Sequence, residues 1–277
     1  SVTVGGSANA VRATGTGSAI PPARASPTSA VHRAAPSTVR RAESRVTELT
    51  RHLGRRGFSI AAVDLHDGVT FDYGARHGML CASVAKLFIL ETLLLQHQDS
   101  GRPLGARRTA LAAEMIENSD NDAADDLYVD VGEAAGLRRA AAVLSVHGTT
   151  PGAGIYWGYT RTGARSYLAL LADLVGGTAL DAHSRHFALT LMSHVEPDQQ
   201  WGVGSVADAG TRFYLKNGWL AVATDSGRWA VNSVGVVTVR GRRLLIVVMT
   251  QHDDGFDDGV DLVDRLARIA ARVVDAG

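Results

Sequence analysis

Among the 28 lysines and arginines of this 277-residue chain only two are lysine, Lys86 and Lys216. An arginine stays protonated at any working pH, whereas a lysine gives up its proton when desolvated or set beside another cation. A chain that writes its positive charge as arginine has kept lysine at two positions, and each lies in a short motif. Ser83-Val84-Ala85-Lys86 places a hydroxyl and an amine three residues apart, which on a helix puts them on one face. Ser119-Asp120-Asn121 comes next, and Lys216-Asn217-Gly218-Trp219 follows. The chemistry available to such a set is acyl transfer. A serine hydroxyl is a poor nucleophile until a nearby base takes its proton, and a neutral lysine is such a base. For that, the Lys86 pKa must fall from about 10.4 through burial and the positive charge of Lys216. Ser119-Asp120-Asn121 also reads as a helix N-cap, a role compatible with chemistry.

Composition narrows the partners. The formal net charge is zero and the isoelectric point near 7.2, so nucleic acid has no electrostatic footprint here. The expected partner is a small-molecule or peptide substrate, and the expected state a monomer. The single cysteine, Cys81, excludes an internal disulfide and a cysteine-based zinc cage, and its apolar neighbours make it a small buried position. No cofactor is expected. His183 and His186 stand three apart without an evident third ligand, and read as surface histidines rather than a metal site.

The elements that must position these motifs follow from periodicity. Residues 1–37 are rich in Ala, Ser, Thr, Gly and Pro, with no apolar run long enough for a membrane span or a signal core, and read as a disordered leader or linker. Such a start suits a mature exported protein or a cytoplasmic one with a loose beginning; the expectation adopted is an extracytoplasmic or secreted protein. Ordered structure is expected from Thr38 as a helix ending near Gly54 or Gly57, then a hairpin from Phe58–Leu65 and Val69–Tyr73. Helices are expected over 83–98, 106–118, 123–131, 133–144, 164–174 and 182–194. Strands follow over 211–216, 227–240 and 243–251, then a helix over 258–274. The class is α+β: residues 38–78 with 209–277 form an α/β domain with an antiparallel sheet flanked by the terminal helices, and 79–208 form an inserted all-helical domain.

These motifs, in this order, resemble the S-x-x-K, S-D-N and K-T-G trio of class A β-lactamases and penicillin-binding proteins. The likeness spans about Thr38 to Gly277. It implies Ser83 as nucleophile, Lys86 as base, Ser119 as proton relay and Lys216 as a further catalytic group. It also implies that Asn121, Asn217, Gly218 and Trp219 bind substrate, with Lys216 and Asn217 holding a carboxylate. The N–H of Ser83 and that of Trp219 would form an oxyanion hole, each donor worth about 3 kcal/mol. Three departures stand out. Asn217 replaces Thr or Ser. The stretch 148–160, where the family carries its deacylating Glu, has no carboxylate. Val231 stands where many members have a substrate-binding Arg, and Arg212 and Arg228 are the nearest substitutes in sequence.

The implied function is a serine hydrolase that forms a Ser83 acyl-enzyme with β-lactams or D-alanyl-type amides and esters and deacylates slowly for want of the Glu. The alternatives are a true class A-like β-lactamase with another deacylation base, a DD-peptidase or transacylase, and a non-catalytic penicillin- or wall-ligand-binding protein. Tyr156, Trp157 and Tyr159 either wall the cleft or fill the core. Asp253, Asp254, Asp257 and Asp258 read as N-terminal capping of the last helix.

Overall fold

The computed structural model describes residues 31–54 and 57–275. The chain runs β1 (His32–Arg33), α1 (Pro36–Leu49), β2 (Phe58–Asp64), β3 (Val69–Gly74) and β4 (Met79–Leu80). The helices α2 (Ala85–Ser100), α3 (Ala106–Glu117), α4 (Asn121–Asp130) and α5 (Glu133–Val143) come next. Then follow β5 (Arg161–Thr162), α6 (Ala164–Gly176), α7 (Ala182–Met192), β6 (Tyr214–Val222), β7 (Arg228–Val239), β8 (Arg242–Asp253) and α8 (Phe256–Asp275). Six strands form one sheet in the order β1-β3-β2-β8-β7-β6, antiparallel except for the β1–β3 pair. β4 and β5 pair separately. The architecture is α+β.

The sheet separates two cores because its central strands are apolar on both faces. Along β8, Leu245, Val247 and Met249 join the core shared with the helical block, while Leu244, Ile246 and Val248 join the core under α1 and α8. This is the period of two that alternates side chains across a strand. α2 is the axis of the helical block: every residue from Ala85 to Leu95 is buried, so the helix is enclosed on all sides. A helix held that firmly is a rigid mount for the residues at its start.

Three boundaries differ from the sequence expectation. Ordered structure starts before Thr38: α1 begins at Pro36, whose fixed φ and missing N–H suit a first helical position, and β1 pairs with β3. The expected leader 1–37 therefore ends too late, and its residues 1–30 lie outside the described residues. The strand expected to end at Lys216 continues to Val222, because pairing with β7 in register, Gly218 opposite Asn232, overrides the weak strand propensity of Asn217-Gly218. Asp253 does not cap α8: it is buried at the end of β8 and accepts a bond from Thr250, while Asp257 and Asp258 occupy the first turn of α8.

Candidate active site

Ser83 sits in a 3₁₀ turn, Ala82–Val84, that leads into α2. Three contacts fix this turn from different elements. From β7, the buried Asn232 amide donates to the carbonyls of Leu80 and Cys81, both at 2.9 Å. The hydroxyl of Tyr167 on α6 donates to Val84 O. The β6 backbone at Gly218 presses on it so closely that a Cβ there would stand 2.7 Å from Ser83 N and 2.6 Å from Val84 N. Only glycine permits this approach. Ala82 at φ 47° and Ser119 at φ 57° both occupy the left-handed region, a conformation costing of order 1–3 kcal/mol in a non-glycine residue.

The second motif enters at the start of α4. Asp120 is the N-cap, its carboxylate accepting from Ala123 N at 2.7 Å. Capping turns Ser119 and Asn121 toward α2. Lys86 Nζ donates to Ser119 O at 2.5 Å, to Asn121 Oδ1 at 2.8 Å and to Ser119 Oγ at 3.1 Å. Lys216 Nζ reaches the same Ser119 Oγ at 3.0 Å and Asn217 O at 3.1 Å. One hydroxyl thus stands between the two amines. Among the described residues, no hydrogen bond joins Ser83 Oγ to Lys86 Nζ.

Both lysines are 0 % exposed, and burial pulls both pKa values down. Lys86 falls to about 8, the fall opposed by the nearby Asp120 and Asp125. Lys216 is lowered well below its ordinary value by burial first and by the charge of Lys86 second. No carboxylate is among the groups acting on Lys216, and Lys216 is not among those acting on Lys86. This reverses the expectation that Lys216 tunes Lys86.

The stretch 148–160 folds back on itself. Thr150 and Arg161 exchange backbone bonds, Tyr128 donates to Gly152 O, and a 3₁₀ turn spans Trp157–Tyr159. It delivers Trp157 over the site: Lys86 Nζ lies 4.9 Å from a ring centroid of the indole, and Nε1 donates to Asp125 Oδ1 at 2.6 Å. Tyr156 and Tyr159 stand exposed in edge contact, with centroids 6.0 Å apart. A pocket of about 320 Å³ opens here, lined by Ser83, Asn121, Asp125, Tyr156, Trp157, Tyr159 and Trp219 among others. The three aromatics therefore wall the cleft, with Trp157 also buried. A carboxylate absent from 148–160 arrives from elsewhere: Asp125, one turn after Asn121 on α4. The i, i+4 spacing from Asn121 was the available signal for it.

Other expected site residues are arranged differently. Asn217 is 1 % exposed, and its amide donates to Gln199 O at 2.8 Å and Trp201 O at 3.1 Å. The side chain is thus spent tying β6 to the preceding loop, a correction to its expected contact with a substrate carboxylate. Arg228 is engaged by Asp225 at 2.5 Å, and neither it nor Arg212 lines the pocket. Cys81 is buried, which pushes its thiol pKa up. His183 and His186 lie on α7, and among the described residues no group of three or more His, Cys, Asp or Glu could hold a metal. No helix of the described residues is long and apolar enough to cross a membrane.

Comparison with known proteins agrees with this fold. "Structure of PBP-A" superposes with a TM-score of 0.74 at 16 % identity, over 89 % of this chain and 98 % of that one. A class A β-lactamase from Mycobacterium abscessus gives 0.70 at 18 % identity, over 83 % and 98 %. At such identities the likeness is one of fold. Among curated proteins, "Putative lipoprotein LppW" of Mycobacterium tuberculosis is 27 % identical over 222 residues, 76 % of this chain and 69 % of that protein. The model of Beta-lactamase2, the Beta-lactamase enzyme family, matches residues 106–274, a span holding the second and third motifs but starting downstream of Ser83 and Lys86. The chain belongs to the Beta-lactamase enzyme family.

Proposed function

We propose that this protein is a serine acyl-transfer enzyme that forms an ester between Ser83 and the acyl part of a β-lactam or a D-alanyl-type amide or ester. Neutral Lys86 takes the Ser83 proton as Oγ bonds to the carbonyl carbon. The N–H groups of Ser83 and Trp219 receive the oxyanion, and Ser119 passes a proton to the leaving nitrogen or oxygen as its bond to carbon breaks. The observation that carries this reading is the convergence of Lys86 and Lys216 on Ser119, with Asn121 accepting from Lys86, beside the pocket that holds Ser83. Hydrolysis of the ester is slow, a reading supported by the indole beside Lys86 and the lack of any carboxylate in 148–160. The name of the LppW relative supports a place outside the cytoplasm.

A second reading, a β-lactamase with full turnover, is favoured by one observation: Asp125 lines the pocket and could take a proton from water. Incubation with a fluorescent penicillin and a chromogenic cephalosporin tests both. The first reading expects a stable label on the wild type, none on Ser83→Ala, and little colour after one equivalent. Rapid multiple turnover lost in Asp125→Asn supports the second. No label and no turnover removes the β-lactam part of both.

A further inference from the structure

We infer that the pocket over Ser83 takes a substrate that carries a protonated amine, received by Asp125 within a wall formed by Tyr156, Tyr159 and Trp219. The inference rests on the acyl-transfer reading above and names the substrate class of that site. Its starting point is charge. Of the residues lining the pocket, Asp125 alone carries a charged side chain. Its Oδ1 accepts from the indole N–H of Trp157, and among the described residues Oδ2 makes no hydrogen bond.

On the side of the pocket that Asp125 lines, a ligand carboxylate finds no matching group. The two amines of the site are both 0 % exposed, with Lys216 directed at Ser119 Oγ and Asn217 O. The Asn217 amide is committed to Gln199 and Trp201, Arg228 to Asp225, and position 231 is a buried valine. A ligand carboxylate on that side would meet Asp125 and be repelled.

The aromatic wall points the same way. Tyr156 is 63 % and Tyr159 40 % exposed, an unusual amount of aromatic surface to leave in water at the mouth of a cleft. Ring faces carry negative charge density and attract ammonium groups, and exclusion of water strengthens the attraction. With a carboxylate beside them they form a receptor for R–NH₃⁺, the amine donating to Oδ2 while its carbon chain lies on the rings.

Binding is measured by calorimetry on Ser83→Ala, so that no acylation is needed, with three probes of similar shape: benzylammonium, benzyl alcohol and phenylacetate. Benzylammonium is expected to bind about tenfold tighter than benzyl alcohol, the size of one charge-assisted contact with aromatic support, and phenylacetate weakest. Adding Asp125→Asn should bring the ammonium and alcohol affinities to within about twofold, with the alcohol unchanged. Because Asp125→Asn also alters the bond to Trp157, Tyr156→Leu serves as a second variant and should lower the ammonium preference about threefold with Asp125 in place. Equal affinities, no benzylammonium binding, tighter phenylacetate, or a preference untouched by both substitutions would overturn the inference. Such a result leaves Ser83 labelling of the wild type unaffected, whereas loss of labelling with the preference intact removes only the acyl-transfer reading. A role for Asp125 as a general base alone would slow neutral and cationic substrates alike and leave the binding ratio near one.

Discussion

The indole of Trp157 lies over the amine of Lys86, 4.9 Å from ring centroid to Nζ, and donates its own N–H to Asp125. Ring, Asp120 and Asp125 all favour the ammonium form of Lys86, while burial disfavours it. Burial wins: the group settles at about 8, and burial lowers its partner Lys216 well below the ordinary lysine range as well. Both amines can therefore lose a proton in a range where an ordinary lysine cannot.

Because the chain has two lysines, uniform ¹³Cε labelling of lysine yields two side-chain signals, assignable with Lys86→Met. The Lys86 signal is expected to titrate near pH 8 and that of Lys216 well below the ordinary lysine value. If neutral Lys86 is the base, raising the pH through this midpoint deprotonates it, so the acylation rate should climb about tenfold between pH 7 and 9 and then level off. Two signals titrating near 10.4 would contradict the burial argument.

Gly218→Ala tests the contact between β6 and the Ser83 turn. The added Cβ would meet two backbone nitrogens, Ser83 N and Val84 N, which cannot swing aside as a side-chain end can. The strand must retreat, at a cost of about 1–3 kcal/mol in stability, and if the N–H groups of Ser83 and Trp219 receive the oxyanion as proposed, their spacing is lost and acylation slows about 100-fold. Denaturant midpoints and labelling rates check the two effects separately.

The fold was readable from the sequence wherever one face or both faces of an element are apolar. The β8 run Leu244–Met249 and the all-buried α2 announce themselves by composition alone. Lys86 and Lys216 stood out in the sequence as its two lysines, and Ser83 and Ser119 by their motif spacing in the same order along the chain. Asn232 and Asp125 did not. Asn232 reads as one polar residue in a β-run, and its importance lies in bonds to Leu80 and Cys81, some 150 positions away. Asp125 is one of several acidic residues on α4, and only the fold of 148–160 sets it against Trp157. The direction of the Asn217 amide depends on where the Gln199–Trp201 loop packs, which no local pattern records.

Asn217→Ala separates positioning from substrate contact. Loss of its two bonds frees the Gln199–Trp201 loop from β6, with an expected destabilisation of about 1–3 kcal/mol. Esters with and without a carboxylate should be slowed by the same factor. A loss confined to carboxylate-bearing esters would restore the direct contact.

Asp253 supplies a pH test of stability outside the site. Burial raises its pKa from 3.8 to about 6, against the opposing bond from Thr250, and Oδ1 is buried without a partner. The native state therefore holds this proton more tightly than the unfolded chain. The penalty is absent below about pH 4, grows between pH 4 and 6, and reaches about 3 kcal/mol above that. Asp253→Asn, neutral throughout, should gain on the wild type across that window in urea melts recorded from pH 3.5 to 7. A difference that does not vary with pH would mean that the carboxyl group is not the source.

Covalent capture at Ser83 bears most directly on the account. The protein is incubated with a β-lactam and, separately, with an activated ester that bears an amine. Intact mass and peptide mapping then locate any adduct. One acyl group per chain on the peptide containing Ser83, absent from Ser83→Ala and strongly reduced in Lys86→Arg, is the predicted result. An unmodified protein with both reagents, or an adduct that persists in Ser83→Ala, would contradict it.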